Sequence, residues 1–173
     1  MPRPMCGLAG YFAKGGLRPE EGAALVARML EAIHHRGPDD RGQVIEPTCG
    51  VGSTRLSIVD LEGGHLPMED ASAGLVLAYN GELYDHARHR AALEAEGHRF
   101  HTRSDAEVLL PLYQRHGADA PQHVAGMFAF ALWDAQARRL LLGRDRFGIK
   151  PLFIADSDDG RLLLFASEVK ALM

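Results

Sequence analysis

The spacing of apolar residues predicts a helix near the start of the chain. Between Glu20 and His35, apolar residues recur at intervals of three or four, which places them on one helical face. These residues are Leu25, Met29, Leu30 and Ile33. Gly37-Pro38 follows, and both residue types end helices. We therefore expect a helix over 20–35 with one buried side.

Two further helices are predicted in the middle of the chain. Asp85 to Glu96 is weakly amphipathic and stops before Gly97. Asp105 to His116 has a stronger start signal, because Ser104 and Glu107 have the spacing of a capping box. In that motif the serine oxygen and the glutamate carboxylate each accept a backbone N–H at the start of the helix.

Short apolar runs between the helices predict strands. They are Leu8 to Phe12, Gly52 to Ile58, Leu75 to Tyr79, Phe128 to Trp133, Leu140 to Gly143 and Leu162 to Ala166. The strands cluster before and after a helical middle. This order favours an α+β layered domain over strictly alternating βαβ units.

Composition narrows the class of protein. The chain has 173 residues, enough for one domain with its own core, and 46% of them are hydrophobic. Its formal charge is -4 with scattered basic residues, so nucleic acid is not an expected partner. No apolar run reaches the roughly 18 to 20 residues needed to cross a bilayer, and the N-terminus lacks an apolar signal core. Two cysteines without paired spacing fit a reducing cytosol, so we expect a cytoplasmic protein.

The chain contains no complete motif for a dinucleotide-binding site or a metal site. Gly50-x-Gly52 begins like a dinucleotide-binding fingerprint, but Arg55 occupies the third glycine position. The His86/His89 and His98/His101 pairs have i, i+3 spacing, yet no Cys, Asp or Glu set completes a recognisable metal site. The residues therefore predict neither a nucleotide nor a metal cofactor.

Cys6 is a candidate nucleophile if it becomes the first residue of the mature protein. The thiol would attack, and the free α-amine, whose pKa is ordinarily about 7.7 to 8.0, would act as the neighbouring base. The alternative is a small buried residue, because free cysteine is commonly buried. Cys49 is interpreted as structural.

Three other positions have both a structural and a functional interpretation. Asn80-Gly81 follows the predicted strand Leu75 to Tyr79, so it could form an oxyanion hole or an ordinary turn at the strand end. Arg55 lies in an apolar strand and needs a carboxylate from the protein or from a ligand. Asp105 opens a helix, where it could simply be a cap.

Taken together, the segments closely resemble the glutaminase domain of the asparagine synthetase B family, a class II glutamine amidotransferase among the N-terminal nucleophile hydrolases. The resemblance covers almost the whole chain. It rests on Cys6-Gly7, His35-Arg36-Gly37-Pro38-Asp39, Arg55 to Asp60, Asn80-Gly81-Glu82, Ser104-Asp105, Gly126 to Phe130, Gly143-Arg144-Asp145 and Ala166 to Leu172. It implies a four-layer αββα sandwich of two antiparallel sheets.

The same resemblance implies roles for individual residues. Cys6 would attack the carboxamide of L-glutamine, with Asn80 and Gly81 holding the oxyanion. Glu82 and Asp105 would receive the α-ammonium group. The substrate carboxylate would pair with Arg55, and the segment that follows would line the pocket. That segment is Leu56, Ser57, Ile58 and Val59.

The chain departs from the family pattern at both ends. Met1 to Met5 precede Cys6, and a cysteine locked in a peptide bond has no free amine to act as base. We expect this extension, or a misassigned start, to be followed by an amidotransferase domain over 6–173. Family members continue into a synthetase domain that uses ATP and magnesium, but no Ser-Gly-Gly phosphate loop is present here. No cofactor is therefore expected for this domain.

The destination of the ammonia stays open in the sequence. Asparagine synthesis by a synthetase domain or separate subunit is the first expectation, because the resemblance is to that family. A different acceptor is possible on the same residues, as is a catalytically silent glutamine-binding module. A homo-oligomer is also compatible with the chain.

Overall fold

The computed structural model of the protein describes residues 6–56 and 65–173. One sheet contains β1 Gly7–Ala13, β2 Asp40–Ile45, β3 Cys49–Arg55, β8 Phe153–Asp156 and β9 Leu162–Ala166. The other contains β4 Met68–Asp70, β5 Leu75–Leu83, β6 Gly126–Asp134 and β7 Arg139–Arg144. The strand orders are β2-β3-β1-β9-β8 and β4-β5-β6-β7, and all neighbouring strands are antiparallel.

The helices are shorter than the sequence patterns predict. They are α1 Pro19–Ala32, α2 His86–Ala95 and α3 Leu109–His116. The predicted first helix continues beyond α1 only as a 3-10 turn, His34–Arg36. The predicted third helix begins with another 3-10 turn, Asp105–Val108, and becomes α-helical at Leu109. The second helix lies within one residue of its expected bounds at each end.

Three apolar clusters separate the layers of the domain. Val26 and Leu30 of α1 pack against Tyr11 on the outer face of the first sheet. Leu109 of α3 packs with Phe130 on the outer face of the second sheet. A third cluster joins the two sheets and includes Leu8, Cys49, Val51, Val76, Ala78, Ala131 and Trp133. The predicted four-layer αββα sandwich is therefore confirmed.

Three strands were absent from the sequence prediction, and all three lie at sheet edges. They are β2, β4 and β8. Edge strands have neighbours on one side only, and β2 and β4 contain exposed or half-buried polar positions, so they lack the apolar run of an internal strand. β8 is only four residues long, and its apolar Phe153 and Ile154 are exposed. The described residues contain no helix long and apolar enough to cross a membrane.

Candidate active site

Cys6 lies directly before β1, beside the end of β3. Gly7 pairs with Thr54, so the antiparallel register brings Cys6 next to Arg55. The Cys6 thiol lies 3.9 Å from the carbonyl oxygen of Leu56, and its side chain is half-buried. Cys49 lies instead in the core between the sheets, where burial raises the pKa of its thiol. Cys6 adjoins a cavity.

Arg36 holds the backbone of Cys6 in place. Its Nε donates to the Cys6 carbonyl oxygen at 3.2 Å, and its Nη1 donates to Glu168 Oε1 at 2.9 Å. Burial works against ionisation of Glu168, but hydrogen bonds, first that from Arg36, keep the pKa of this carboxyl below its usual value. Gly37 allows the segment after Arg36 to pass close to the backbone of Arg55, because a Cβ at Gly37 would lie 2.5 Å from that backbone. Arg36 and Glu168 had no predicted role, although both lie in the segments that carry the family resemblance.

One cavity of about 290 Å³ brings most of the predicted site residues together. Its walls include Cys6, Arg55, Leu56, Gly81, Glu82 and Asp105. These residues come from the start of β1, the end of β3, the end of β5 and the turn before α3. Ser57, Ile58 and Val59 lie outside the described residues.

Asn80 and Gly81 lie inside a strand, and the predicted turn at this point is wrong. Strand β5 continues to Leu83, with Asn80 opposite Ala129 and Gly81 opposite Phe128. The apolar pattern stops at Tyr79 because Asn80 is a polar residue at a buried position of the strand. Gly81 is required sterically, since a Cβ would lie 2.5 Å from a backbone oxygen of β6.

The Asn80 amide is a buried hydrogen-bond donor with no partner among the described residues. The residue is 2% exposed, and its Nδ2 makes no hydrogen bond there. Asn80 continues the alternation of Val76 and Ala78, so it lies on the face of β5 that is directed towards the other sheet. A buried polar group without a partner is costly to folding and calls for an explanation. An oxyanion donor that waits for substrate is one such explanation.

Asp105 is not a helix cap. Its Oδ2 accepts a hydrogen bond from the Tyr79 hydroxyl at 2.7 Å and another from the Leu83 N–H at 2.7 Å. Burial and the nearby Asp105 carboxylate raise the pKa of Tyr79, which keeps its hydroxyl protonated as a donor. Both of these bonds use one oxygen, so Asp105 is anchored to β5 while it borders the cavity.

The predicted capping box is half right. Ser104 Oγ accepts from the Ala106 N–H at 3.3 Å, as a cap does. Glu107 does not reach back to Ser104. Its buried carboxylate accepts from the backbone N–H groups of His101 at 2.7 Å and Thr102 at 2.8 Å. Glu107 therefore secures the loop that leads into Asp105.

The cavity has side chains of both charges, which suits a ligand with two charged ends. Arg55 is 4% exposed, so the wall contains a buried cation. The wall also contains two carboxylates, those of the exposed Glu82 and the half-buried Asp105. Among the described residues, no three His, Cys, Asp or Glu side chains come together to hold a metal ion.

Comparisons with known proteins identify the family of this chain. A family model described as a glutamine amidotransferase domain matches residues 5–173. Asparagine synthetase [glutamine-hydrolyzing] 1 of Bacillus subtilis is 40% identical over 170 residues, covering 98% of this chain and 27% of the relative. Amidase chyE of Penicillium rubens is 36% identical over 179 residues, covering 98% of this chain and 26% of the relative. The chain thus spans about a quarter of the length of these curated relatives.

The fold has a solved counterpart. Glutamine phosphoribosylpyrophosphate amidotransferase from B. subtilis, solved with ADP and GMP, superposes with a TM-score of 0.78. The match covers 96% of this chain and 43% of the other, at 22% identity, so it is a likeness of fold. From the match of the family model and the identity to its relatives, the chain belongs to the glutamine amidotransferase domain family.

Proposed function

We propose that this domain hydrolyses L-glutamine to glutamate and ammonia through a thioester on Cys6. The observation that carries the proposal is the single cavity that joins the Cys6 thiol to a buried cation and to two carboxylates. Glutamine has one carboxylate, one ammonium group and one carboxamide. The cavity offers a chemical partner to each of them.

The free amine of an N-terminal Cys6 takes the thiol proton, and the sulfur attacks the side-chain carbonyl carbon of glutamine. Asn80 Nδ2 and the Gly81 N–H stabilise the resulting oxyanion. The proton passes from the amine to the leaving nitrogen, the C–N bond breaks, and ammonia departs. Water then attacks the thioester, the C–S bond breaks, and glutamate leaves with the thiol restored.

Charge selects the substrate in this proposal. Arg55 pairs with the α-carboxylate, because a guanidinium matches carboxylate geometry. Asp105 and Glu82 accept the α-ammonium group. Two hydrogen bonds support this role for Asp105, because those from Tyr79 and Leu83 to its Oδ2 orient the carboxylate before substrate arrives. Leu56 lines the same cavity.

The test is glutamate release by protein that begins at Cys6, with Cys6→Ala as the control. We expect release that depends on Cys6, and no release while Met1 to Met5 block the amine. The glutamine-like electrophile 6-diazo-5-oxonorleucine should label Cys6 and leave the buried Cys49 unmodified. Absence of release from protein with a verified Cys6 N-terminus would instead support a silent glutamine-binding module.

The ammonia is intended for a synthetase domain or subunit in this proposal. The names of the B. subtilis relatives support asparagine synthesis, with ATP and magnesium on the synthetase part. Relatives named amidases, from P. rubens and Gibberella zeae, support a different acceptor as a second candidate. Coupling the domain to a partner synthetase with ATP and aspartate distinguishes the two, because only the first yields asparagine.

A further inference from the structure

His86 is a cavity residue to which neither the motifs nor the proposed reaction gives a role. It is the first residue of α2, it is half-buried, and it lines the same cavity as Glu82 and Asp105. Asp85 helps to fix the position of His86. Its carboxylate accepts a hydrogen bond from the Ala125 N–H at 3.0 Å, which ties the start of α2 to the chain before β6.

The hydrogen bond made by the His86 ring determines where its proton lies. Its Nδ1 is 2.7 Å from the carbonyl oxygen of Leu83. A carbonyl oxygen can only accept, so Nδ1 is the nitrogen that donates. In the neutral ring, Nε2 then has no hydrogen and offers a lone pair.

Leu83 links His86 to the proposed ammonium site. Its N–H donates to Asp105 Oδ2, and its carbonyl oxygen accepts from His86 Nδ1. One residue of β5 therefore orients a carboxylate and an imidazole that border the same cavity. Glu82, the preceding residue, contributes the second carboxylate.

We propose that Nε2 of His86 is a third acceptor for the α-ammonium group of the substrate, beside Asp105 and Glu82. The inference rests on the proposed glutaminase function and adds a substrate-binding residue to it. A primary ammonium group has three N–H donors, as in the lysine side chain. Two carboxylates and one imidazole nitrogen supply one acceptor for each.

The test compares His86→Asn with the unmodified domain, both beginning at Cys6. Asparagine can still donate from its amide to the Leu83 carbonyl, but it presents nothing where Nε2 lies. We expect KM for glutamine to rise about tenfold with kcat nearly unchanged, which is the effect of losing one hydrogen bond to a charged group. His116→Asn, outside the cavity, serves as the matched control.

A substrate without the amine separates binding from structural support. 4-Carbamoylbutanoate keeps the carboxylate and carboxamide of glutamine but has no ammonium group. We expect its KM to be the same for His86→Asn and the parent, so that the preference for glutamine shrinks by the same tenfold factor. His86→Gln, whose longer side chain can place an oxygen near the Nε2 position, should recover part of the preference.

Two outcomes would overturn the inference. One is a parental KM for glutamine in His86→Asn, and the other is an equal rise in KM for both substrates, which would make His86 a structural residue only. A parent domain that releases no glutamate from glutamine would contradict the proposed function instead, so the two failures are distinguishable. Thermal unfolding of each variant identifies any loss caused by misfolding.

Discussion

Asp105 and Asp145 are both carboxylates that accept backbone N–H groups, but they lie in different surroundings and use their oxygens differently. Asp105 borders the cavity, and the hydrogen bonds that anchor it to β5 use Oδ2. Asp145 lies at the end of β7, is 5% exposed, and receives bonds on both oxygens. Asp105 is therefore oriented while its Oδ1 is available to a ligand, whereas both oxygens of Asp145 stabilise the fold.

Four backbone N–H groups donate to the Asp145 carboxylate. Phe147 and Ile149 donate to Oδ1 at 3.1 and 3.0 Å, and Phe128 and Lys150 donate to Oδ2 at 3.2 and 3.0 Å. Burial opposes ionisation of Asp145, but these bonds hold the pKa of its carboxyl below the ordinary value. The carboxylate thus closes its own loop and ties it to β6, the neighbour of the strand that contains Asn80 and Gly81.

The difference teaches which buried polar groups to assign to ligands. A saturated carboxylate such as Asp145, or Glu107 in the loop before Asp105, stabilises backbone that no regular element satisfies. A group such as Asn80 Nδ2, buried and without a partner among the described residues, is a donor available to a ligand. Substitutions in the two regions should therefore affect different measurements.

Asn80→Ala should give the largest effect on catalysis. Loss of one oxyanion donor lowers kcat by about 10²- to 10³-fold. The unfolding free energy should change little through hydrogen bonding, because the deleted Nδ2 has no partner in the described part of the chain. Steady-state kinetics and denaturant unfolding measure the two quantities. A variant that keeps its kcat would contradict the assignment of Asn80 to the oxyanion hole.

Asp105→Asn should give the next largest effect, and it should appear in binding. The amide removes a negative charge from the proposed ammonium site while preserving the shape of the side chain, so KM for glutamine should rise by about 10- to 100-fold. Because the lost contact is made equally to substrate and transition state, kcat should change much less. Glutamate release at varied glutamine concentration gives both constants, and an unchanged KM would remove Asp105 from the substrate site.

Asp145→Asn should give the opposite result, with lower stability and an unaltered KM for glutamine. The asparagine NH₂ would face backbone N–H donors that now meet an oxygen, and an unsatisfied buried group costs about 1 to 3 kcal/mol of unfolding free energy. Urea denaturation at neutral pH measures this loss. A specific rise in KM without destabilisation would break the contrast between the two aspartates.

The pH dependence of the same variant sharpens the contrast further. The folded-state pKa of Asp145 lies below its unfolded value, so its contribution is complete above about pH 4. That contribution is lost as the pH falls through the lower folded-state pKa. The stability difference between parent and Asp145→Asn should therefore be constant near neutral pH and shrink in acid. A stability difference that grows below about pH 4 would show that folding raises the pKa of Asp145 and does not lower it.

The sequence predicted internal strands and the three helices better than it predicted edges and turns. Continuous apolar runs mark β5 and β6 because each strand has a neighbour on both sides and is covered on both faces. The apolar run ends at Tyr79 because the buried Asn80 that follows is polar, and this led to the incorrect turn at Asn80-Gly81. Glu107 was assigned to a capping box because local spacing cannot reveal that its partners lie in the preceding loop.

By itself, the sequence determined the family, the layered α+β class, the candidate nucleophile and the types of side chain at the site, because ordered motifs and apolar periods are local properties of a chain. Tertiary structure decided which of those residues meet. It brought Cys6 beside Arg55 through strand register, fastened Asp105 to Leu83, and placed His86 at the same cavity. Such contacts join residues that are distant along the chain, and only the pairing of strands and the stacking of two sheets specify them.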